Sequence, residues 1–364
     1  MKSLVAAGVL LSCPALSAEE ARVVFPHTTW EVSTPEAQGM DSTHLDQAMA
    51  EIAAICGIDG NRQTMVIRNG YSIWQGDDVA HRHPAWSCTK SFMSTCLGLL
   101  WDDGKCAPET LAAQLYPALA ADYPTITIEH LATFTSGYAH AEEHPGEPRT
   151  PMYQPGAAFH YSSQADFLAM VLTQAAGESL YELFMRRIGT PIGLNDQEFH
   201  WGVQPGENAI PCNGGAGYVV SGVDINALAM ARFGWLFCQR GRWNDEQLIS
   251  TRYIDYATAQ RVPNSIPPFD PKAWYVSVPG CYGLNWWMNG VAVTNKRLWP
   301  SIPSSSFAAQ GNKNNICIIV PEWNLVLVRL GEDKIIDISL FDGPLRLLGE
   351  GMRLGGGLPK DTTP

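Results

Sequence analysis

Ser87 and Lys90 are the residues of this chain whose types and spacing most clearly allow catalysis. They lie three positions apart at the start of an apolar run over residues 91–100, and positions i and i+3 share one face of a helix. An ammonium buried in such a helix has a lowered pKa, because its charged form loses solvation. A partly neutral lysine beside a serine is a base that activates the hydroxyl as a nucleophile, and S-x-x-K is a known catalytic spacing. The pair predicts a nucleophile, Ser87, with Lys90 as its base.

The surrounding pattern predicts the elements that position this pair. The helix that carries Lys90 should end at the acidic pair and glycine of 102–104. Two β-prone runs around Asn69-Gly70 predict a hairpin, and runs at 315–320 and 325–330 predict a second one. Strands at both ends of the chain and helices between them predict an antiparallel sheet with a helical insertion.

Other elements follow from periodicity and end signals. A helix is expected over 41–55, capped by Asp41 or Ser42, and another over 224–239, capped by Ser221 or Asp224. The terminal helix should be broken near Gly343-Pro344. The remaining expected elements are helices at 128–134, 163–176 and 335–352 and strands at 282–288 and 305–309.

Composition limits the classes of partner. The chain has 364 residues and 46% hydrophobic content, enough for a large core in about two domains or one elaborate one. Only 16% of residues are charged, the net charge is -12, and no basic cluster is present. We therefore expect neither nucleic acid nor an anionic membrane surface as a partner. No apolar run is long enough to predict an integral membrane span.

The first residues resemble an export signal. Lys2 precedes an apolar run, and small residues at 15–18 offer a cleavage site, which predicts a signal peptide over 1–18 and a periplasmic or secreted protein. Residues 10–13 also match a lipoprotein cleavage box, which would place a lipid anchor on Cys13. A buried N-terminal helix is the third interpretation, and Pro14 argues against it.

The cysteines and histidines offer an alternative metal chemistry. The nine cysteines show no C-x-x-C spacing; some are able to pair in an exported protein, and Cys88, Cys96 and Cys317 are expected to be free core residues. Residues 140–144 fit the H-x-x-E-H pattern of zinc peptidases, which requires a helix. Because Ser-Gly precedes the segment and Pro-Gly follows it, we expect a solvated loop, and neither a metal nor a cofactor.

Four further segments stand in a recognisable order after the Ser87–Lys90 pair. Residues 126–137 read I-T-I-E-H-L-A-T-F-T-S-G, and residues 155–163 read P-G-A-A-F-H-Y-S-S. Gly214–Tyr218 are rich in glycine, and Ala309-Gln310-Gly311 come just before a predicted strand. In this order they resemble the I-T-I-x-H-L-L-T-H-T-S-G, P-G-x-x-F-x-Y-S-N, glycine-rich and K-T-G or H-x-G segments of serine β-lactamase-like hydrolases. That family includes penicillin-binding proteins, class C β-lactamases, D-Ala-D-Ala carboxypeptidases, family VIII esterases and nylon-oligomer hydrolases.

The resemblance implies the β-lactamase/transpeptidase-like fold, of α/β (α+β) class, with an antiparallel sheet flanked by helices and an all-α domain. The sheet domain would comprise 23–86 and 213–360, and the helical domain 87–212, with the active site between them. Tyr161 would pass the proton to the leaving group, and a phenol near an ammonium should have a lowered pKa. The N–H groups of Ser87 and Asn312 would form the oxyanion hole. The residues that would contact the substrate are Ser163, Ala309, Gln310 and Gly311.

Departures from the family pattern bear on the substrate. Ser163 replaces an asparagine, and Ala309 replaces the lysine or histidine that binds a substrate carboxylate, although Lys313 lies nearby. We therefore expect a small-molecule ester or simple amide substrate, cleaved through an acyl-enzyme. The alternatives are β-lactamase or D-Ala-D-Ala carboxypeptidase activity, and a non-catalytic binding protein on the same fold. The tryptophans that are candidates for an apolar acyl or alcohol pocket, or else for the core, are Trp86, Trp274, Trp286, Trp287 and Trp299.

Overall fold

The structure is a computed structural model that describes residues 23–121, 123–138, 140–141, 144–148, 152–162, 164–204, 210–217, 220–333 and 337–358. The signal peptide over 1–18, Cys13 and Ser163 lie outside the described residues. The export signal, the lipid anchor and the role of Ser163 therefore stay predictions.

The helices and strands of the described residues follow one another in chain order. The α-helices are α1 (Ser42–Cys56), α2 (Thr89–Asp102), α3 (Ala112–Leu115), α4 (Ile128–Ala132), α5 (Gln164–Ala176), α6 (Leu180–Phe184), α7 (Ala227–Cys238), α8 (Thr251–Ala257) and α9 (Asp342–Leu354). The strands are β1 (Gln63–Arg68), β2 (Tyr71–Gln75), β3 (His83–Pro84), β4 (His140–Ala141), β5 (His144–Pro148), β6 (Phe199–Trp201), β7 (Val203–Gln204), β8 (Cys212–Asn213), β9 (Val223–Ile225), β10 (Arg242–Trp243), β11 (Glu246–Gln247), β12 (Trp287–Met288), β13 (Phe307–Gly311), β14 (Asn315–Val320) and β15 (Leu325–Leu330).

The main sheet joins strands from both ends of the chain. Its order is β12-β13-β14-β15-β1-β2, and every neighbouring pair is antiparallel. The β1–β2 and β14–β15 hairpins confirm the two hairpin predictions, and the β1–β15 pairing confirms an antiparallel sheet completed by both ends. The division into a sheet domain and a helical domain, with the bounds given above, stays a prediction.

Helices cover the sheet and carry the site. Helix α7 packs against β1, β14 and β15, while α1 packs against α9. Helix α2 is buried from Thr89 to Leu100 and contacts α5, α6 and α8 as well as β13. Because α2 touches both the sheet and the middle helices, the residues at its start are placed between them.

Two helix predictions were wrong at their ends. Helix α7 begins at Ala227 because the side chain of Asn226 accepts a hydrogen bond from Ala229 N at 2.9 Å, whereas Asp224 lies in β9. Helix α9 begins at Asp342, so Pro344 lies in its first turn and does not break it. A proline is tolerated there because N–H groups of the first turn have no helical partner.

The strand predictions near the site also shift. Of residues 282–288, only Trp287–Met288 form a strand, and the predicted strand at 305–309 lies at Phe307–Gly311. Residues 140–141 and 144–148 pair as a short antiparallel hairpin instead of a loop. The zinc pattern required a helix, and its two glutamates lie outside the described residues.

The cysteines behave as core residues. Eight of them, from Cys56 to Cys317, are buried free thiols, which confirms the prediction for Cys88, Cys96 and Cys317. Within the described ranges, no cluster of three or more histidine, cysteine or acidic side chains is arranged to hold a metal ion. The helices of the same ranges are all too short or too polar to cross a membrane.

Candidate active site

Ser87 lies in a single helical turn, Trp86–Cys88, that runs directly into α2. Trp86 adopts a left-handed φ of 52°, which is uncommon for a bulky residue and strains the backbone immediately before Ser87. Thr89 Oγ1 donates to Trp86 O at 2.7 Å and accepts from Val223 N at 2.9 Å. These bonds tie the turn to β9 and hold its strained shape.

Lys90 is buried beside Ser87. Its Nζ lies 2.9 Å from Ser87 Oγ and 2.5 Å from the carbonyl oxygen of Ala216, and only 3% of the residue is exposed. Burial lowers the pKa of Lys90 to about 8, and the negative charge of Asp166 partly opposes that shift. The predicted contact and the predicted fall in pKa are both confirmed.

The hydroxyl of Tyr161 reaches the same serine. The side chains of Ser87 and Tyr282 interact with this hydroxyl, and Lys90 Nζ lies 5.1 Å from the centre of the ring. The prediction of a lowered phenol pKa was wrong. Burial raises the pKa of Tyr161 well above its usual range, and it outweighs the lowering effect of the interactions with Ser87 and Tyr282. Tyr161 is therefore a neutral phenol that is able to donate and accept one proton.

The glycine-rich segment at residues 214–217 packs against the serine turn and Lys90. Gly217 has a φ of 86°, and a Cβ there would stand 2.1 Å from Trp86 O and 2.8 Å from Ser87 N. The carbonyl of Ala216 accepts from Lys90 and also lies 3.4 Å from Ser87 Oγ. Only a residue without a side chain at 217 allows the segment to approach the serine turn this closely.

The end of β13 also lies against the serine turn. A Cβ at Gly311 would stand 2.1 Å from Ala85 O and 3.1 Å from Ser87 N. This close approach brings the strand end and the Ser87 backbone together. Asn312 follows Gly311 directly and is exposed. The use of their N–H groups as an oxyanion hole stays a prediction.

The other two residues of the A-Q-G motif lie in the sheet. Ala309 is fully buried opposite Cys317, and Gln310 is half-buried opposite Ile316. Residue 309, for which the resemblance predicts the place of the family's lysine or histidine, is an alanine inside β13. Lys313 lies beyond the strand end in a left-handed turn, and it is half-exposed.

The five tryptophans divide between core and site. Trp286 and Trp299 are fully buried, which confirms the core alternative for these two residues. Trp274 packs edge-on against Tyr161 with 5.0 Å between ring centres, and Trp287 lies 6.1 Å from the same ring. Trp86 is half-buried, with its Nε1 3.5 Å from Glu332 Oε1.

Three residues of the site were missed from sequence. Asp166 accepts hydrogen bonds from Gly215 N and Ala216 N, Ala216 presents its carbonyl to Lys90, and the Tyr282 ring packs 6.0 Å from the Tyr161 ring. A carboxylate in the first turn of α5, five positions after Tyr161, was the available signal for Asp166. For Ala216 the signal was its place in the glycine-rich segment Gly214–Tyr218, whereas nothing in the sequence distinguishes Tyr282 from core residues.

The fold and the site together define a class of protein. A serine and a buried lysine three residues apart, a tyrosine hydroxyl on the same serine, and an antiparallel sheet flanked by helices are features of β-lactamase/transpeptidase-like proteins. The chain belongs to the beta-lactamase family, whose model matches residues 46–333.

Solved structures support the same fold. A family VIII carboxylesterase matches with a TM-score of 0.63 and 15% identity, over 87% of this chain and 99% of its own. A penicillin-binding protein homologue from Caulobacter crescentus matches with a TM-score of 0.63 and 13% identity, over 88% and 99%. EstCE1, described as a hydrolase with promiscuous acyltransferase activity, matches with a TM-score of 0.62 and 15% identity, over 85% and 98%. No curated protein matches the sequence.

Proposed function

We propose that this protein is a serine hydrolase that cleaves carboxylic esters or simple amides through an acyl-enzyme. The observation that carries the proposal is the 2.9 Å hydrogen bond between Ser87 Oγ and Lys90 Nζ, made by a lysine with a pKa of about 8. Such a lysine is neutral in a useful fraction of molecules near neutral pH, so it is able to accept the serine proton.

The proposed reaction has two steps. Ser87 Oγ bonds to the substrate carbonyl carbon while its proton passes to Lys90; the bond to the leaving oxygen or nitrogen then breaks, and the leaving group is protonated through Tyr161. Water next attacks the acyl ester and gives up a proton to the same groups, and Ser87 Oγ regains a proton as the carboxylic acid leaves. The N–H groups of Ser87 and Asn312 would stabilise the oxyanion of both steps, typically by several kcal/mol.

The surroundings of the site favour an uncharged substrate. A substrate carboxylate would lose the charge-assisted bond that the family's cation makes, roughly 1.5–3 kcal/mol, because Ala309 is a buried alanine. Trp274 is 65% exposed although it is large and apolar, and it packs on Tyr161. An exposed indole beside the reacting groups is suited to cover an apolar acyl or alcohol group.

Mass spectrometry after reaction with a fluorophosphonate or a labelled penicillin tests the proposal. We expect a fluorophosphonate adduct on Ser87, slower reaction with penicillin, and no adduct in Ser87→Ala. Faster acylation by penicillin would favour the β-lactamase or carboxypeptidase alternative. The absence of any adduct on Ser87 would contradict the proposal and favour a non-catalytic binding protein.

A further inference from the structure

Asp166 holds the backbone that faces Lys90. Only 5% of the residue is exposed, and one carboxylate oxygen, Oδ1, accepts hydrogen bonds from Gly215 N and from Ala216 N, both at 2.8 Å. Hydrogen bonds from backbone N–H groups to a carboxylate are charge-assisted and about twice as strong as neutral ones. A buried carboxylate therefore fixes one side of this segment.

Ala216 contacts both Asp166 and the Ser87–Lys90 pair. Ala216 donates its N–H to Asp166, and its carbonyl oxygen lies 2.5 Å from Lys90 Nζ and 3.4 Å from Ser87 Oγ. Three of the four residues at 214–217 are glycines, whose backbone has many alternative conformations. Without an anchor, the direction of this carbonyl would not be determined by local sequence.

We propose that Asp166 is a positioning residue for the Ser87–Lys90 pair: it holds the Ala216 carbonyl against Lys90, and its negative charge biases the proton balance of that lysine. The inference rests on the proposed function, because it assigns Lys90 the role of base. Asp166 acts through the segment and through its charge, without touching the substrate.

Asp166 is the charged group that acts on Lys90, because the other titratable groups near this lysine are neutral. Within the described part of the chain, Asp166 and the Cys88 thiol are the titratable groups that act on Lys90 electrostatically, and the Tyr161 ring lies 5.1 Å from its Nζ. Burial raises the pKa of both Cys88 and Tyr161 well above neutrality, so both are uncharged there. Asp166 opposes the effect of burial on Lys90, and loss of its charge should lower the pKa of Lys90 further.

Two substitutions separate position from charge. Asp166→Asn keeps an oxygen for both backbone N–H groups but removes the charge, so the acidic limb of the kcat/KM profile should move down by about one pH unit, with the high-pH rate within about threefold of wild type. Asp166→Ala removes both effects, and kcat should fall about a hundredfold at every pH because the base is misplaced.

The matched control is Asp102→Asn. Asp102 also accepts a backbone hydrogen bond, from Ser250 N at 2.7 Å, but it lies at the other end of α2. Its pH profile should equal that of wild type. A purely structural role for Asp166 predicts lower stability without a shift of the acidic limb, and such a result for Asp166→Asn would overturn the proposal.

An NMR titration of Lys90 keeps the inference distinct from the proposed function. The ¹³Cε resonance of Lys90 should titrate at lower pH in Asp166→Asn than in wild type, whether or not a substrate is turned over. An unchanged titration overturns the inference and leaves the proposed function standing. Absence of fluorophosphonate labelling at Ser87 overturns the proposed function, whatever the titration of Lys90 shows. If Asp166→Ala does not fold, the Asp166→Asn titration still decides.

Discussion

Two buried basic side chains, Lys90 and Arg329, differ in the partners that surround their charges. Arg329 is fully buried in β15, forms an ion pair with the buried Asp333, and donates to Gly60 O at 2.9 Å and to Lys313 O at 3.1 Å. The hydrogen bonds of Lys90 go to a hydroxyl and a carbonyl, both of them neutral. Asp333 balances the charge of Arg329, whose guanidinium does not deprotonate in proteins, so this pair is a structural feature. Lys90 has no ion-pair partner among the described residues, and its ammonium is able to lose its proton.

Of the substitutions considered, Ser87→Ala should have the largest effect on activity. The substitution removes only the nucleophile from a half-buried position, so turnover of p-nitrophenyl butyrate should fall by about a thousandfold or more. Steady-state kinetics measures the loss, and the thermal midpoint should match that of wild type. A variant that keeps more than a few per cent of the activity would exclude Ser87 as the nucleophile.

Lys90→Arg tests whether the lysine must become neutral. A guanidinium keeps the positive charge but does not deprotonate in proteins, so activity should fall nearly as far as in Ser87→Ala. Lys90→Met is the control, because it removes the buried charge; it should be equally inactive and no less stable than wild type in urea denaturation. An active Arg variant would show that Lys90 is not the base.

Arg329→Met tests the structural role of the buried Arg329–Asp333 ion pair. It leaves Asp333 as an unpaired buried charge, so the free energy of unfolding should fall by about 3–5 kcal/mol. Urea denaturation measures the change, and Arg346→Met, which breaks an exposed pair with Glu350 in α9, should change stability by less than about 1 kcal/mol. Equal stability losses in the two variants would contradict the structural role of Arg329.

Trp274→Ala tests whether this exposed side chain contributes to substrate binding without affecting the chemical step. If the exposed indole covers the acyl group, its loss should lower the preference for p-nitrophenyl butyrate over p-nitrophenyl acetate about five- to tenfold. If it covers the alcohol group, the preference for benzyl acetate over methyl acetate should fall by the same factor. The rate on the smallest ester should change little. Leu354→Ala, also exposed and apolar but at the end of α9, is the control. Unchanged ratios in both series would mean that Trp274 does not contact the substrate.

The sequence predicted what local pattern determines. Ser87 and Lys90 follow from a fixed spacing at a helix start, and the β1–β2 hairpin follows from Asn69-Gly70. Tyr161 and the A-Q-G strand came from ordered family segments, as did the fold. Each of these depends on residues close together in the chain or on a known order of motifs.

What the sequence missed depends on tertiary contacts. Asp166 reaches Gly215 across 49 positions, and no spacing rule joins them. The direction of the Tyr161 pKa shift was wrong because burial by distant elements outweighs its polar interactions. Trp286 and Trp287 are neighbours in sequence and both are buried, yet only Trp287 lies near Tyr161, because successive residues of an extended chain face opposite sides.

The rate at which a fluorophosphonate modifies Ser87, measured by intact mass between pH 6 and 10, tests the central claim most directly. If neutral Lys90 is the base, the rate should rise about tenfold per pH unit below a midpoint near 8 and level off above it, because the pKa of Lys90 is lowered to about 8 by burial. Modification of another residue, or a rate on Ser87 that does not depend on pH in this range, would contradict the claim that a lysine of lowered pKa activates this serine.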